Sequence, residues 1–140
     1  KELAAHTALP IFLETNGTLD RALADCIDCI SYISMDIKLP DVLSWPVWDA
    51  HARFLSVARA VDVYVKIVVA AETRAEYVER AARMVAELAP ATLFVLQPVT
   101  PYGGCTAPTP ARLLELQRIA LCHLPDVRII PQTHRMMDLL

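Results

Sequence analysis

Asp36 and Lys38 stand two residues apart in the stretch Ser34-Met35-Asp36-Ile37-Lys38-Leu39-Pro40. Side chains alternate along an extended strand, so a carboxylate and an ammonium at this spacing share one face. Facing outward they would be a surface pair; facing inward they would line a cavity. The inward placement is the expected one, because Met35 and Ile37 then pack against covering helices. Lys66 lies between Val65 and Ile67, and an ammonium is expensive to bury unless it meets a partner or a polar cavity. A lumen whose wall also carries Asp36 would supply one. Glu14-Thr15-Asn16-Gly17 closes an apolar run with a carboxylate, a hydroxyl and an amide. Thr15 and Asn16 offer hydrogen bonds to a ligand there, although Asn-Gly is also a turn former. Gln97, just before Pro98, either reads a ligand with its amide or satisfies a strand end. Gln132 and His134 share one side of the last segment, and an imidazole titrates in the range useful for proton transfer. His6, His51 and His123 have no acidic partner at triad or metal spacing and carry no case.

The four cysteines read mainly as thiols. Cys26-Ile27-Asp28-Cys29 is a CxxC, the spacing of a redox pair or of half a metal site. It falls near the end of a helical pattern, without a second CxxC at zinc spacing, so buried or half-exposed free thiols are expected. Cys105 and Cys122 are isolated. No metal site is assigned from these residues.

Groups so scattered must be positioned by regular elements. Apolar runs at 11–14, 32–37, 63–69, 93–97 and 127–131 are nearly continuous in Ile, Val, Leu and Phe, the pattern of parallel strands covered on both faces. Helical patterns occupy 18–29, 48–60, 73–89 and 110–124. The third presents Val78, Ala81, Val85 and Leu88 on one face behind a Thr73…Glu76 capping box. The fourth opens with Thr109-Pro110, a cap residue followed by a proline in the first turn. Five strands joined by four helices make an α/β chain of parallel βα repeats, an open sheet or an arc of a barrel. The polar residues then collect at the carboxyl ends of the strands, where ligands bind in such folds.

The chain has 140 residues, 55% of them hydrophobic, and a formal charge of −3. It is expected to be a single domain over residues 1–140. The absence of a basic block argues against nucleic acid or an anionic membrane as partner. No apolar run reaches the ~18 residues of a membrane span, and the first residues lack a signal-peptide plan, so a cytoplasmic protein is expected. A first residue of Lys1 rather than Met suggests a chain that begins inside a longer protein.

The motifs LETNGTL, SMDIKLP, VKIVV, LQPVTP and VRIIPQTHR, in this order and at these spacings, resemble the second half of a radical S-adenosylmethionine (SAM) enzyme. They are most similar to those of the 7-carboxy-7-deazaguanine synthases of queuosine and deazapurine biosynthesis. The resemblance spans residues 10–136 and implies a partial TIM barrel of the (β/α)6 type, with this chain supplying its C-terminal part. It implies SAM, a 4Fe–4S cluster and Mg2+ as cofactors, with the cluster's three cysteines, Cys-x3-Cys-x2-Cys, in a unit outside this sequence. Asp36 and Lys38 would then hold the ribose hydroxyls and carboxylate of SAM, and Thr15 and Asn16 would lie beside it. Lys66 and Gln97 would complete the cofactor wall, with Gln132 and His134 on the substrate side. The implied reaction is the ring contraction of 6-carboxytetrahydropterin, a small pterin-like substrate. Another radical SAM activating enzyme, or a non-catalytic α/β module, is the alternative. An unpaired first strand further predicts a homodimer.

Overall fold

The computed structural model describes residues 1–41, 47–101, 104–133 and 137. Five strands form one parallel sheet in sequence order. They are β1 (Phe12–Thr15), β2 (Tyr32–Ile37), β3 (Asp62–Val69), β4 (Phe94–Pro98) and β5 (Val127–Ile129). The helices are α1 (Glu2–Ala5), α2 (Asp20–Ala24), α3 (Trp48–Ala58), α4 (Ala75–Leu88) and α5 (Pro110–Leu121). Contacts run in series from α2 to α3, α3 to α4 and α4 to α5, which makes these four helices a single layer on one face.

The side-chain period of two decides what each face of the sheet does. Ile33, Met35 and Ile37 of β2, Val65, Ile67 and Val69 of β3, and Phe94 and Leu96 of β4 are buried in one cluster. Phe54 and Leu55 of α3, Val78, Ala81 and Val85 of α4, and Leu116 of α5 complete that cluster. Each fully buried large aliphatic stabilises by ~1.5–3 kcal/mol, so the helix side carries the stability. The intervening residues point the other way. Register sets Glu14 beside Ser34 and Ser34 beside Tyr64. One layer further along, Asp36 stands beside Lys66, Lys66 beside Val95, and Val95 beside Arg128. Val68 pairs with Gln97 at the carboxyl end. The face turned away from the helices is thus the polar one, and the two-faced expectation for Asp36 resolves inward, with Met35 and Ile37 under the helices.

Three local expectations are corrected. The helical pattern over 18–29 breaks into α2 and a 3-10 turn, Ile27–Cys29. Cys26 leaves the helical region at φ −134°, and Ile27 and Ile30 turn in against the core instead. The Thr73…Glu76 capping box does not form. Arg74 is the residue before α4, the Thr73 hydroxyl accepts from the Ala70 amide, and Glu76 pairs with Arg74. Finally, β5 stops at Ile129, since Pro131 has no N–H with which to continue the ladder. The Thr109 cap does form, its hydroxyl accepting from the Arg112 amide with Pro110 in the first turn.

Candidate functional site

The ends of β1 and β2 are held together by a residue that sequence reasoning set aside. His51 lies in the first turns of α3 and is fully buried. Its Nδ1 is 2.9 Å from the Gly17 carbonyl oxygen, and its Nε2 is 3.1 Å from the Lys38 amide nitrogen. A backbone N–H can only donate, so Nε2 is the acceptor and the ring proton sits on Nδ1, donating to Gly17. Burial pushes the His51 pKa below 6.5, outweighing the two backbone hydrogen bonds and the Asp36 charge that raise it. The ring is therefore neutral. Gly17 adopts φ +62°, a conformation that favours glycine. In the turn it makes, the Thr15 hydroxyl accepts from the Gly17 amide and the Thr18 hydroxyl donates to Asn16 Oδ1. Asn16 is exposed at the end of β1.

Lys38 Nζ donates to Asp36 Oδ2 at 2.8 Å. The other carboxylate oxygen, Asp36 Oδ1, is buried and has no hydrogen-bond partner among the described residues; Ser34 Oγ is in the same position. Buried polar atoms are nearly always satisfied, so Asp36 Oδ1 calls for a donor, and the Ser34 hydroxyl for a donor or an acceptor. Lys66 meets the need for a partner, but the partner is Glu14, at 2.5 Å, rather than its register neighbour Asp36. The pair reaches across β2, with the Lys66 side chain nearly buried and that of Glu14 mostly exposed. Lys66 and Gln97 line a shallow cavity of about 190 Å3 with Tyr64, Val95 and Ile130. A larger cavity of about 800 Å3 opens at the carboxyl edge beside Val68, Val99, Asp41, Thr73 and Cys105.

Gln132 Oε1 accepts from the Thr100 amide at 2.9 Å and so ties the end of the chain to the segment after β4. His134 lies outside the described residues. The structure brings Asp36, Lys38, Lys66 and Gln97 to one sheet face and its carboxyl end, with Thr15 and Asn16 at the neighbouring strand end. Thr15 pairs with Met35 in register and its hydroxyl is engaged in the turn. The thiols do not converge. The Cys26 and Cys122 thiols donate to the carbonyls of Ala22 and Arg118, and all four cysteines are free. Among the described residues no three His, Cys, Asp or Glu side chains are placed to hold a metal ion.

No protein-family model matches the chain. It is 42% identical over 130 residues to the 7-carboxy-7-deazaguanine synthase of Geobacter sulfurreducens, covering 92% of this chain and 52% of that protein. The chain is a homologue of part of that synthase. Synthases of the same name from Methanothermobacter thermautotrophicus and Methanocaldococcus jannaschii are 30% and 32% identical, over 99% and 92% of this chain. The chain spans 52%, 63% and 55% of the lengths of these three synthases. Among solved structures, a domain of pyruvate-formate lyase-activating enzyme from Bacteroides vulgatus superposes with a TM-score of 0.70 at 13% identity, covering 92% of this chain and 88% of that one. A radical SAM methyltransferase from Sphaerobacter thermophilus gives 0.65 at 15% identity, over 86% of this chain and 40% of that one. At these identities the likeness concerns the fold, and it is the partial-barrel α/β fold expected from the motifs. No helix among the described residues is long and apolar enough to cross a membrane.

Proposed function

We propose that this chain forms the cofactor-facing and substrate-facing wall of a radical SAM enzyme of the 7-carboxy-7-deazaguanine synthase type, acting on 6-carboxytetrahydropterin. The observation that carries this reading is the 42% identity to the Geobacter synthase. The polar sheet face, with two buried oxygens that lack partners among the described residues, fits it.

SAM suits this donor set. Asp36 Oδ1 is an acceptor without a partner among the described residues, its carboxylate held by the Lys38 contact, and on this reading it would accept from the ribose hydroxyls. Lys38, half-exposed beyond the end of β2, offers its ammonium to the cofactor carboxylate. Asn16 presents its amide one strand away and Gln97 two strands away, whereas Thr15 shares the helix-side parity of Met35 and serves the turn that carries Asn16. The Glu14–Lys66 pair adds two polar groups to this face whose charges offset each other. On this reading Gln132, whose oxygen accepts from the Thr100 amide, would serve the substrate side through its remaining amide group, and His134 enters from the motif alone. SAM, when bound and given one electron by the cluster of the intact enzyme, would supply the group that abstracts hydrogen and starts the ring contraction; the residues here would bind, orient and exclude water. A 4Fe–4S cluster does not fit the thiols of this chain, and Mg2+ finds no three-ligand set among the described residues. No step is therefore assigned to either group here.

The test is calorimetric titration of S-adenosylhomocysteine into the chain. Asp36→Ala should weaken binding by roughly ten- to hundredfold, the loss of a hydrogen bond to a charged group. Cys26→Ser with Cys29→Ser should bind as the wild type does. The opposite pattern would overturn the assignment.

A further inference from the structure

We propose that His51 is a positioning residue: a neutral imidazole on α3 that fixes the turn after β1 against the end of β2, and so sets where Asn16 and Lys38 stand relative to each other. Among the described residues no backbone hydrogen bond joins the two segments at this point, and the other contact is the packing of Gly17 on the Met35 side chain. The β1–β2 ladder ends at the pair Thr15 and Met35, whereas Gly17 and Lys38 lie beyond it. His51 spans that gap with a donor and an acceptor on opposite edges of one rigid ring. The ring is shielded from solvent, so water does not compete for either bond. It can move neither alone, because Nδ1 and Nε2 are fixed to each other. A shift of the turn after β1 must then pull on the amide that precedes the Lys38 ammonium, and through it on the Lys38–Asp36 contact.

The role in placing a ligand rests on the SAM reading above; the bridge itself does not. The conservative variants separate its halves. A glutamine amide reaches as far as Nε2 and can accept from the Lys38 amide; an asparagine reaches as far as Nδ1 and can donate to Gly17. A leucine fills space and makes neither bond.

Amide hydrogen exchange and backbone relaxation by NMR on the whole chain would decide. In His51→Leu the Lys38 amide should exchange about tenfold faster or more, as expected for loss of a hydrogen bond. Asn16, Gly17 and Thr18 should become more mobile, while Ile67 in the sheet interior keeps its protection. His51→Gln should retain protection at Lys38 but release the turn, and His51→Asn should do the reverse. Should His51→Leu fail to fold, the opposed patterns of Gln and Asn still test the bridge. The inference is overturned if leucine preserves both sites, for His51 would then only fill volume. It is equally overturned if Lys38 loosens only together with Ile67, or if the ring nitrogens of the wild type show the proton on Nε2. A parallel titration with S-adenosylhomocysteine keeps the two readings apart. Absence of binding to the wild type would count against the SAM reading and leave exchange to judge His51. Binding weakened about tenfold in folded His51→Leu would support both.

Discussion

Gly17→Ala tests whether the turn after β1 is built as described. An ideal Cβ at this position would lie 2.6 Å from Met35 Cε and 2.8 Å from Met35 Cγ, and the backbone sits at φ +62°. The left-handed conformation costs a residue with a Cβ ~1–2 kcal/mol. Met35 is fully buried, so displacing it costs a further ~1–3 kcal/mol of overpacking. The flexible thioether end yields most easily, which sets the expected total at about 2–4 kcal/mol. With a urea m-value of ~2 kcal/mol/M, the unfolding midpoint should fall by ~1–2 M. Met35→Ala relieves the overlap at the cost of a cavity, ~2–5 kcal/mol on its own. The double variant should consequently be less destabilised than the sum of the singles by ~1–3 kcal/mol. Urea titrations of the four proteins complete the cycle. A Gly17→Ala protein within ~0.5 kcal/mol of the wild type, or an additive double variant, would refute the close approach of Gly17 to Met35.

The buried neutral state of His51 makes stability depend on pH. Its folded pKa lies below the ordinary 6.5, so between the two values the unfolded chain binds the extra proton. His51 should thus cost nothing above pH 6.5 and lower stability progressively as pH falls below it; the difference between the urea midpoints of wild type and His51→Gln should be constant above pH 6.5 and change only on that acid side. Anaerobic reconstitution with iron and sulfide should leave the chain colourless, because its thiols do not converge; a brown protein with a stable cluster would contradict the placement of Cys26 and Cys29. The edge position of β1, with Leu9 75%, Phe12 55% and Tyr32 47% exposed near its start, predicts self-association through that edge. Light scattering across a concentration series should show a dimer, and a monomer throughout would mean that the edge is protected.

What the sequence determined by itself was the layer plan. Runs such as Asp62–Val69 carry enough branched apolar residues to read as strands covered by helices, and Thr109-Pro110 marked a helix start that the structure reproduces. These signals are local, written in a period of two or in one cap residue. The motifs likewise carried the homology to the synthase, and alternation alone placed Asp36 opposite Met35 and Ile37. Partnerships were decided by tertiary structure. Lys66 pairs with Glu14, 52 residues away, because an extended lysine reaches past β2 to the next strand, and no local pattern encodes that reach. The Thr73 hydroxyl turns back to Ala70 instead of capping α4, a choice between two nearby amides that only the path of the loop settles. His51 shows the limit best. Three residues from both Trp48 and Phe54, it shares their buried side of α3, and that spacing was the available signal. Its two partners, however, are backbone groups from separate strand ends, which become neighbours only when the parallel sheet and its helix layer assemble around them.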